Sequence, residues 1–220
     1  VQHKAAGIND LVLGRAELPV PEILTEKNMM QVRAAKKLIR KKRRQYEIQN
    51  RPFSDMKPDT QLAEYLDRTT FINKEGDVCE FTELQKHDLN LVLQKRFALL
   101  NWQQGSGKTA AVYHRAKYLL KYRKVRNVII LAPAIATNMT WVPFLTINRE
   151  RFRMVRNNAD LETVPEGVFL VLSTSMLGKL KRGLTKFIRR TSRKLCLVFD
   201  ESDEITNPSS QRTRHILGIF

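Results

Sequence analysis

Apolar residues along this chain fall into two rhythms. From Phe97 onward they come as short runs: Val128–Leu131, Val168–Leu172 and Leu195–Phe199 are unbroken, Phe97–Asn101 is apolar up to Leu100, and Phe152–Val155 is interrupted by Arg153. Runs of four or five apolar residues bounded by helical stretches predict strands buried on both faces, the signature of a parallel sheet. Between them the spacing turns helical. A helix is expected over 108–121, with Ala110, Ala111, Val112, Ala116, Leu119 and Leu120 on its apolar side, a shorter one over 138–145, and a basic one near 175–190. The predicted fold class is therefore α/β, a mostly parallel sheet covered by helices on both faces.

Ahead of that alternation the pattern is thinner. Residues 1–24 look irregular, with prolines at 19 and 21. Thr25 is placed to cap a helix reaching about Tyr46, whose only apolar stripe is Val32, Ala35 and Ile39. Residues 51–58 carry Pro52 and Pro58 and read as a linker. Asp59 or Thr60 then caps a short helix to Leu66, and 69–81 reads as a small hairpin turning at Asn73–Gly76. Residues 83–95 look helical on Leu84, Leu89, Val92 and Leu93. The expected division is a basic, mainly helical extension over 1–76 and a lobe over 77–220.

Charge sharpens this picture. The chain has 39 Lys and Arg against 22 Asp and Glu, a net charge of +17. The excess is clustered. No acid lies between Asp88 and Glu150, none between Glu166 and Asp200, and seven of the nine residues from Lys36 to Arg44 are basic. Such blocks point to a polyanionic partner, and nucleic acid is the expected one, with Lys41, Lys42, Arg43 and Arg44 at the centre of the first contact surface. No apolar run reaches the length of a membrane span. The start lacks an apolar signal region, and Cys79 and Cys196 are expected to be reduced packing residues. Together these lead to the expectation of a cytoplasmic, nucleoid or nuclear protein that is not secreted.

Two segments carry chemistry. Residues Gly105-Ser106-Gly107-Lys108-Thr109 form a glycine-rich turn that opens a helix. Such a turn lets backbone N–H groups close on phosphate oxygens, and the helix aims its positive end at the same anion. Lys108 would reach the β- and γ-phosphates of ATP, and the Thr109 hydroxyl would ligate Mg²⁺. The full G-x-x-x-x-G-K-[ST] pattern would need glycine where Trp102 stands. The second segment is the apolar run 195–199, which ends in Asp200-Glu201 and so delivers two carboxylates at a strand's C-terminal end. Asp200 would hold Mg²⁺ and Glu201 would polarise the attacking water.

With these motifs in view, residues 80–215 resemble the first RecA-like lobe of superfamily 2 helicases, and within it the Swi/Snf-type DNA translocases. The matching residues are Gly105–Thr109, Leu131-Ala132-Pro133 with Trp141, Leu172-Ser173-Thr174-Ser175, and Asp200-Glu201-Ser202-Asp203 followed by Asn207. Asp203 stands where the family's second motif usually has histidine. The resemblance implies a RecA-like P-loop NTPase lobe that uses ATP and Mg²⁺. It also implies Gln85 as the adenine reader, and Pro133, Thr137, Ser173 and Thr174 along the nucleic-acid track. A second RecA-like lobe, in the same or a partner chain, would supply the arginines that complete hydrolysis. Other readings fit the same residues: a nucleic-acid-binding or assembly protein with a degenerate, non-hydrolysing loop, or an unrelated P-loop motor.

Overall fold

The long basic segment forms one continuous helix, α1 (Glu26–Asn50), four residues past the expected end. It is followed by α2 (Thr60–Asp67), the hairpin strands β1 (Thr70–Ile72) and β2 (Val78–Glu80), and α3 (Glu83–Gln94). This computed structural model describes residues 26–122, 124–192, 194–201, 207 and 209–220. The expected Thr25 cap, the prolines at 19 and 21, Arg193 and the motif residues 202–206 lie outside the described residues.

Contacts group the described chain into two units, 26–64 with His87–Leu99, and Tyr65–Lys86 with Leu100–Phe220. The hairpin therefore falls with the sheet, and residues 87–99 fall with the N-terminal helices. In the first unit Asp59 caps α2 by accepting the Leu62 N–H at 3.0 Å, and the buried Asn90 side chain bonds both backbone groups of Asp59. Lys95 is also buried. Its ammonium donates to the Gln49 and Arg51 carbonyls at 3.1 and 2.7 Å and stacks 4.3 Å from the centroid of the Phe53 ring.

The expected strand Phe97–Asn101 does not form. A strand needs a ladder partner, and here the backbone of Phe97 is already engaged. Its N–H donates to Gln49 Oε1 at 2.9 Å and its carbonyl accepts from Gln49 Nε2 at 2.8 Å. The apolar side chains that suggested burial stay in water, Phe97 at 63% and Leu99 at 72% exposure.

In the second unit the chain continues through α4 (Lys108–Lys121), β3 (Asn127–Ala132), α5 (Ala134–Ala136), a π turn (Thr137–Trp141), α6 (Val142–Ile147) and β4 (Phe152–Met154). It ends with β5 (Phe169–Ser173), α7 (Leu177–Arg190), β6 (Leu195–Phe199) and α8 (Gln211–Ile219). The helix expected over 138–145 is thus divided between the π turn and α6. Pro143 has no N–H and its ring crowds the preceding carbonyls, and it directly follows the widened turn.

Strands β3 to β6 form one all-parallel sheet in the order β4-β5-β3-β6. Every residue of β3 is buried, which explains its uninterrupted apolar run. Alternate side chains face opposite layers. Ile129, Leu131, Leu170 and Leu172 pack under α7 and α8, while Val128, Ile130, Phe169, Val171 and Val198 pack against Tyr113 and Ala116 of α4, Trp141 of the π turn and Leu145 of α6. The chain is therefore α/β, with a four-stranded parallel sheet between two helical layers. Among the described residues, β6 pairs only with β3 and lies at the sheet edge.

Candidate functional site

The glycine turn adopts the backbone its residues suggested. Gly105 and Gly107 sit at φ +80° and +78°, values that would strain any residue with a Cβ. Gly107 is the N-cap of α4 and brings no side-chain cap, so the first-turn N–H groups of the helix have no side-chain acceptor from that position. The turn is held by Gln103, whose carbonyl accepts from Ser106 N at 3.3 Å, Ser106 Oγ at 2.5 Å and Lys108 Nζ at 3.1 Å. Lys108 Nζ also donates to the Trp102 carbonyl at 2.8 Å. The lysine thus folds back over its own loop. Thr109 is half-buried one residue further on.

Gln85 braces this turn from the N-terminus of α3. Thr82 and Gln85 form a capping box, in which Thr82 N donates to Gln85 Oε1 at 2.8 Å and Gln85 N to Thr82 Oγ1 at 3.3 Å. The remaining amide end of Gln85 donates to the Ser106 carbonyl at 3.0 Å. Thr-x-x-Gln before an apolar helical run is a legible start signal, and it was the readable clue that this side chain has a local structural task.

The carboxylates sit where β6 ends. Asp200 extends the ladder by donating its N–H to the Leu131 carbonyl at 2.8 Å, and its Oδ2 accepts from the indole Nε1 of Trp141 at 2.8 Å. Trp141 is 2% exposed, and a buried indole needs an acceptor for its one donor. That requirement is the signal for a contact between residues far apart in sequence. Glu201 is exposed and holds φ +57°, a left-handed backbone on a residue that is not glycine.

Helix and strand geometry orient the two segments. The 14 residues of α4 span about 21 Å, close to the ~20 Å of six-residue β3. The helix connects through 122–126 to the N-terminal end of β3 and lies along the sheet on Tyr113 and Ala116. Its N-terminus therefore points toward the rim where the parallel strands end and Asp200 lies. Among the described residues, no hydrogen bond or ion pair joins Lys108 to Asp200 or Glu201.

The residues expected along a nucleic-acid track divide. Pro133 follows β3 at that same rim as the N-cap of α5. Thr137 is 1% exposed and donates its hydroxyl to the Ala134 carbonyl at 2.7 Å, and Thr174 is buried as well, so neither presents a surface hydroxyl as expected. Ser173 caps the short turn Thr174–Met176, accepting from Ser175 N at 3.3 Å. Lys41, Lys42, Arg43 and Arg44 are all exposed on α1 in the other unit.

Behind the loop, α4 carries a polar cluster that the sequence did not announce. Glu150 Oε1 accepts from the Tyr113 hydroxyl and from Lys117 Nζ, each at 2.6 Å. Burial and the Glu150 bond push the Tyr113 phenol up. His114 is buried beside the rings of Phe71, Phe81 and Tyr113, and its Nε2 has no hydrogen-bond partner among the described residues. Burial, with Lys117 adding to it, lowers its pKa to about 3. Cys79 and Cys196 are both free thiols, and burial pushes the Cys196 thiol up.

Neither a protein-family model nor a curated protein matches the chain. Among the described residues no three His, Cys, Asp or Glu side chains converge as a metal cage, and no helix is long and apolar enough to cross a membrane.

Proposed function

We propose that this chain binds ATP as the nucleotide-binding lobe of an ATP-dependent nucleic-acid translocase of the RecA-like, superfamily 2 kind. One observation carries the reading. A glycine turn with positive φ at both glycines opens a helix whose N-terminus points toward the sheet rim where β6 ends in Asp200 and Glu201.

In this reading the uncapped first turn of α4 receives phosphate oxygens, and Lys108 leaves the Trp102 and Gln103 carbonyls to pair with the β- and γ-phosphates. The donors suited to a metal are a hydroxyl and a carboxylate, the all-oxygen set Mg²⁺ favours. Mg²⁺ commonly takes one or two protein ligands plus substrate phosphates. Thr109 and Asp200 would hold it, and when bound it supplies neutralisation of phosphate charge. Trp141 fixes the orientation of Asp200, and Glu201 polarises the attacking water. Gln85 keeps the loop in register; reading adenine with the same amide would require it to exchange one of its present bonds. A second RecA-like lobe is the proposed source of transition-state arginines, each worth about 10³–10⁵ in rate. Turnover by this chain alone is therefore slow, and the proposed polyanionic partner is DNA.

The missing strand ahead of the loop favours a second reading, a nucleic-acid-binding protein whose loop no longer serves hydrolysis. Titration with MgATP and single-turnover hydrolysis decide between them. The translocase reading expects saturable binding that Lys108→Ala abolishes, with Glu201→Gln retaining binding and losing hydrolysis. Equal MgATP binding by wild type and Lys108→Ala, or its absence from both, would leave only the second reading.

A further inference from the structure

The outward face of α7 is the most one-sided charged surface of the second unit. Leu177, Leu180, Leu184 and Phe187 fall at i, i+3, i+7 and i+10 and are at most 1% exposed, so the inward stripe is spent on the core. The opposite face presents Lys179, Lys181, Arg182, Lys186 and Arg189, all exposed, around the shallow depression floored by Gly178 and Thr185. Among the described residues none of the five makes an ion pair, and no Asp or Glu occurs anywhere from 167 to 199. The sixth cation, Arg190, is committed elsewhere, donating to the Leu161 and Glu162 carbonyls.

The support beneath this face is stiff. Asp160 accepts the N–H groups of Arg156 and Asn157 at 2.7 and 2.9 Å, and Arg153 Nη1 donates to the Asp160 and Thr163 carbonyls. Asn158 Oδ1 from the same loop accepts Gly183 N–H at 3.0 Å. The helix is thus pinned along its side as well as packed beneath. Lys179 to Arg189 spans roughly 15 Å at 1.5 Å per residue, a band of positive charge along one side of the helix.

We propose that the outward face of α7 docks along the phosphate backbone of duplex nucleic acid. This gives the partner in the proposed function a place and a form, and it does not depend on nucleotide binding. Three features select this occupant. About 15 Å of duplex axis carries roughly nine phosphate charges, enough to meet five cations. The exposed face holds no aromatic side chain, so it lacks the stacking platform that single-strand binders use. A basic amphipathic helix that lies on a membrane needs its apolar face free, and here that face is inside the core.

The test is anisotropy of a labelled 20-base-pair duplex, without nucleotide, over a series of salt concentrations. It compares wild type, Lys179→Gln/Arg182→Gln/Lys186→Gln, and the charge-matched control Lys57→Gln/Arg68→Gln/Lys74→Gln. Each phosphate contact contributes about 0.9 to the slope of log K against log salt, so the α7 variant is expected to lose about 2.7 from the slope. The control should lose less than one, and all three proteins should melt at the same temperature. Equal slopes for wild type and the α7 variant would overturn the proposal and leave the nucleic-acid reading standing through other surfaces. Absence of wild-type duplex binding at low salt would overturn both, while MgATP binding would still test the loop separately. Tighter binding to a single strand, or equal competition by polyglutamate, would assign the face to a different partner and also overturn it.

Discussion

Protonating His114 should destabilise the fold by an amount that can be worked from its surroundings. The imidazole lies in an aromatic pocket, its Nε2 has no hydrogen-bond partner among the described residues, and its pKa falls from 6.5 to about 3. A depressed folded-state pKa means that the unfolded chain takes up the proton first. The associated stability is fully present above pH 6.5 and drains away as pH falls toward 3. At pH 5 the unfolded imidazole is about 97% protonated while the folded one is neutral, which costs about 2 kcal/mol relative to pH 7 by linkage. Urea unfolding at pH 7 and pH 5 on wild type and His114→Phe isolates the effect, because other titrating groups cancel between the two proteins. Wild type should lose about 2 kcal/mol more than the variant on acidification. Identical pH dependence in both would refute the claim that His114 is held neutral by burial.

Two further substitutions probe packing near the sites. A methyl at Gly183 would run into Asn158 Oδ1 and lie 3.1 Å from a Leu161 methyl, so Gly183→Ala should lose about 1–3 kcal/mol despite the helix preference for alanine. Adding Asn158→Ala should recover part of that loss, and an unchanged melting temperature in the single variant would show that the loop yields freely. Trp141→Phe removes the indole donor from Asp200 and leaves a core gap, with an expected cost of about 2–4 kcal/mol. Chemical denaturation would read it, and a loss below 0.5 kcal/mol would argue against a bond that matters to the fold.

What could be read in advance follows from how each element is stabilised. The runs at 128–131, 168–172 and 195–199 became β3, β5 and β6 within a residue or so; β3 and β5 are apolar because both their faces are covered, while edge strand β6 is partly buried and exposes Leu197. The helix over 108–121 was found at both ends, since Gly107 marks its start and its apolar spacing persists to the last turn. Phe97–Asn101 misled because an apolar run says nothing about who pairs with it, and the amide of Gln49 lies far upstream. For the same reason the positions of Thr137 and Thr174 were invisible: a threonine hydroxyl bonded to a carbonyl three residues back, as in Thr137, or a threonine buried after a strand, as in Thr174, looks, as a letter, like one facing solvent. The left-handed glycines of the turn and the place of Asp200-Glu201 directly after β6 were legible as geometry. The Trp141–Asp200 bond was not, because a π turn sets its geometry and no spacing rule encodes that turn.

The left-handed backbone at Glu201 sets durability against the water-polarising role proposed for that side chain. Glycine would relieve roughly 1 kcal/mol of steric conflict there, so any screen for heat resistance alone should keep drawing that replacement. A lineage that retains glutamate at this point tolerates a weaker scaffold in exchange for the side chain itself.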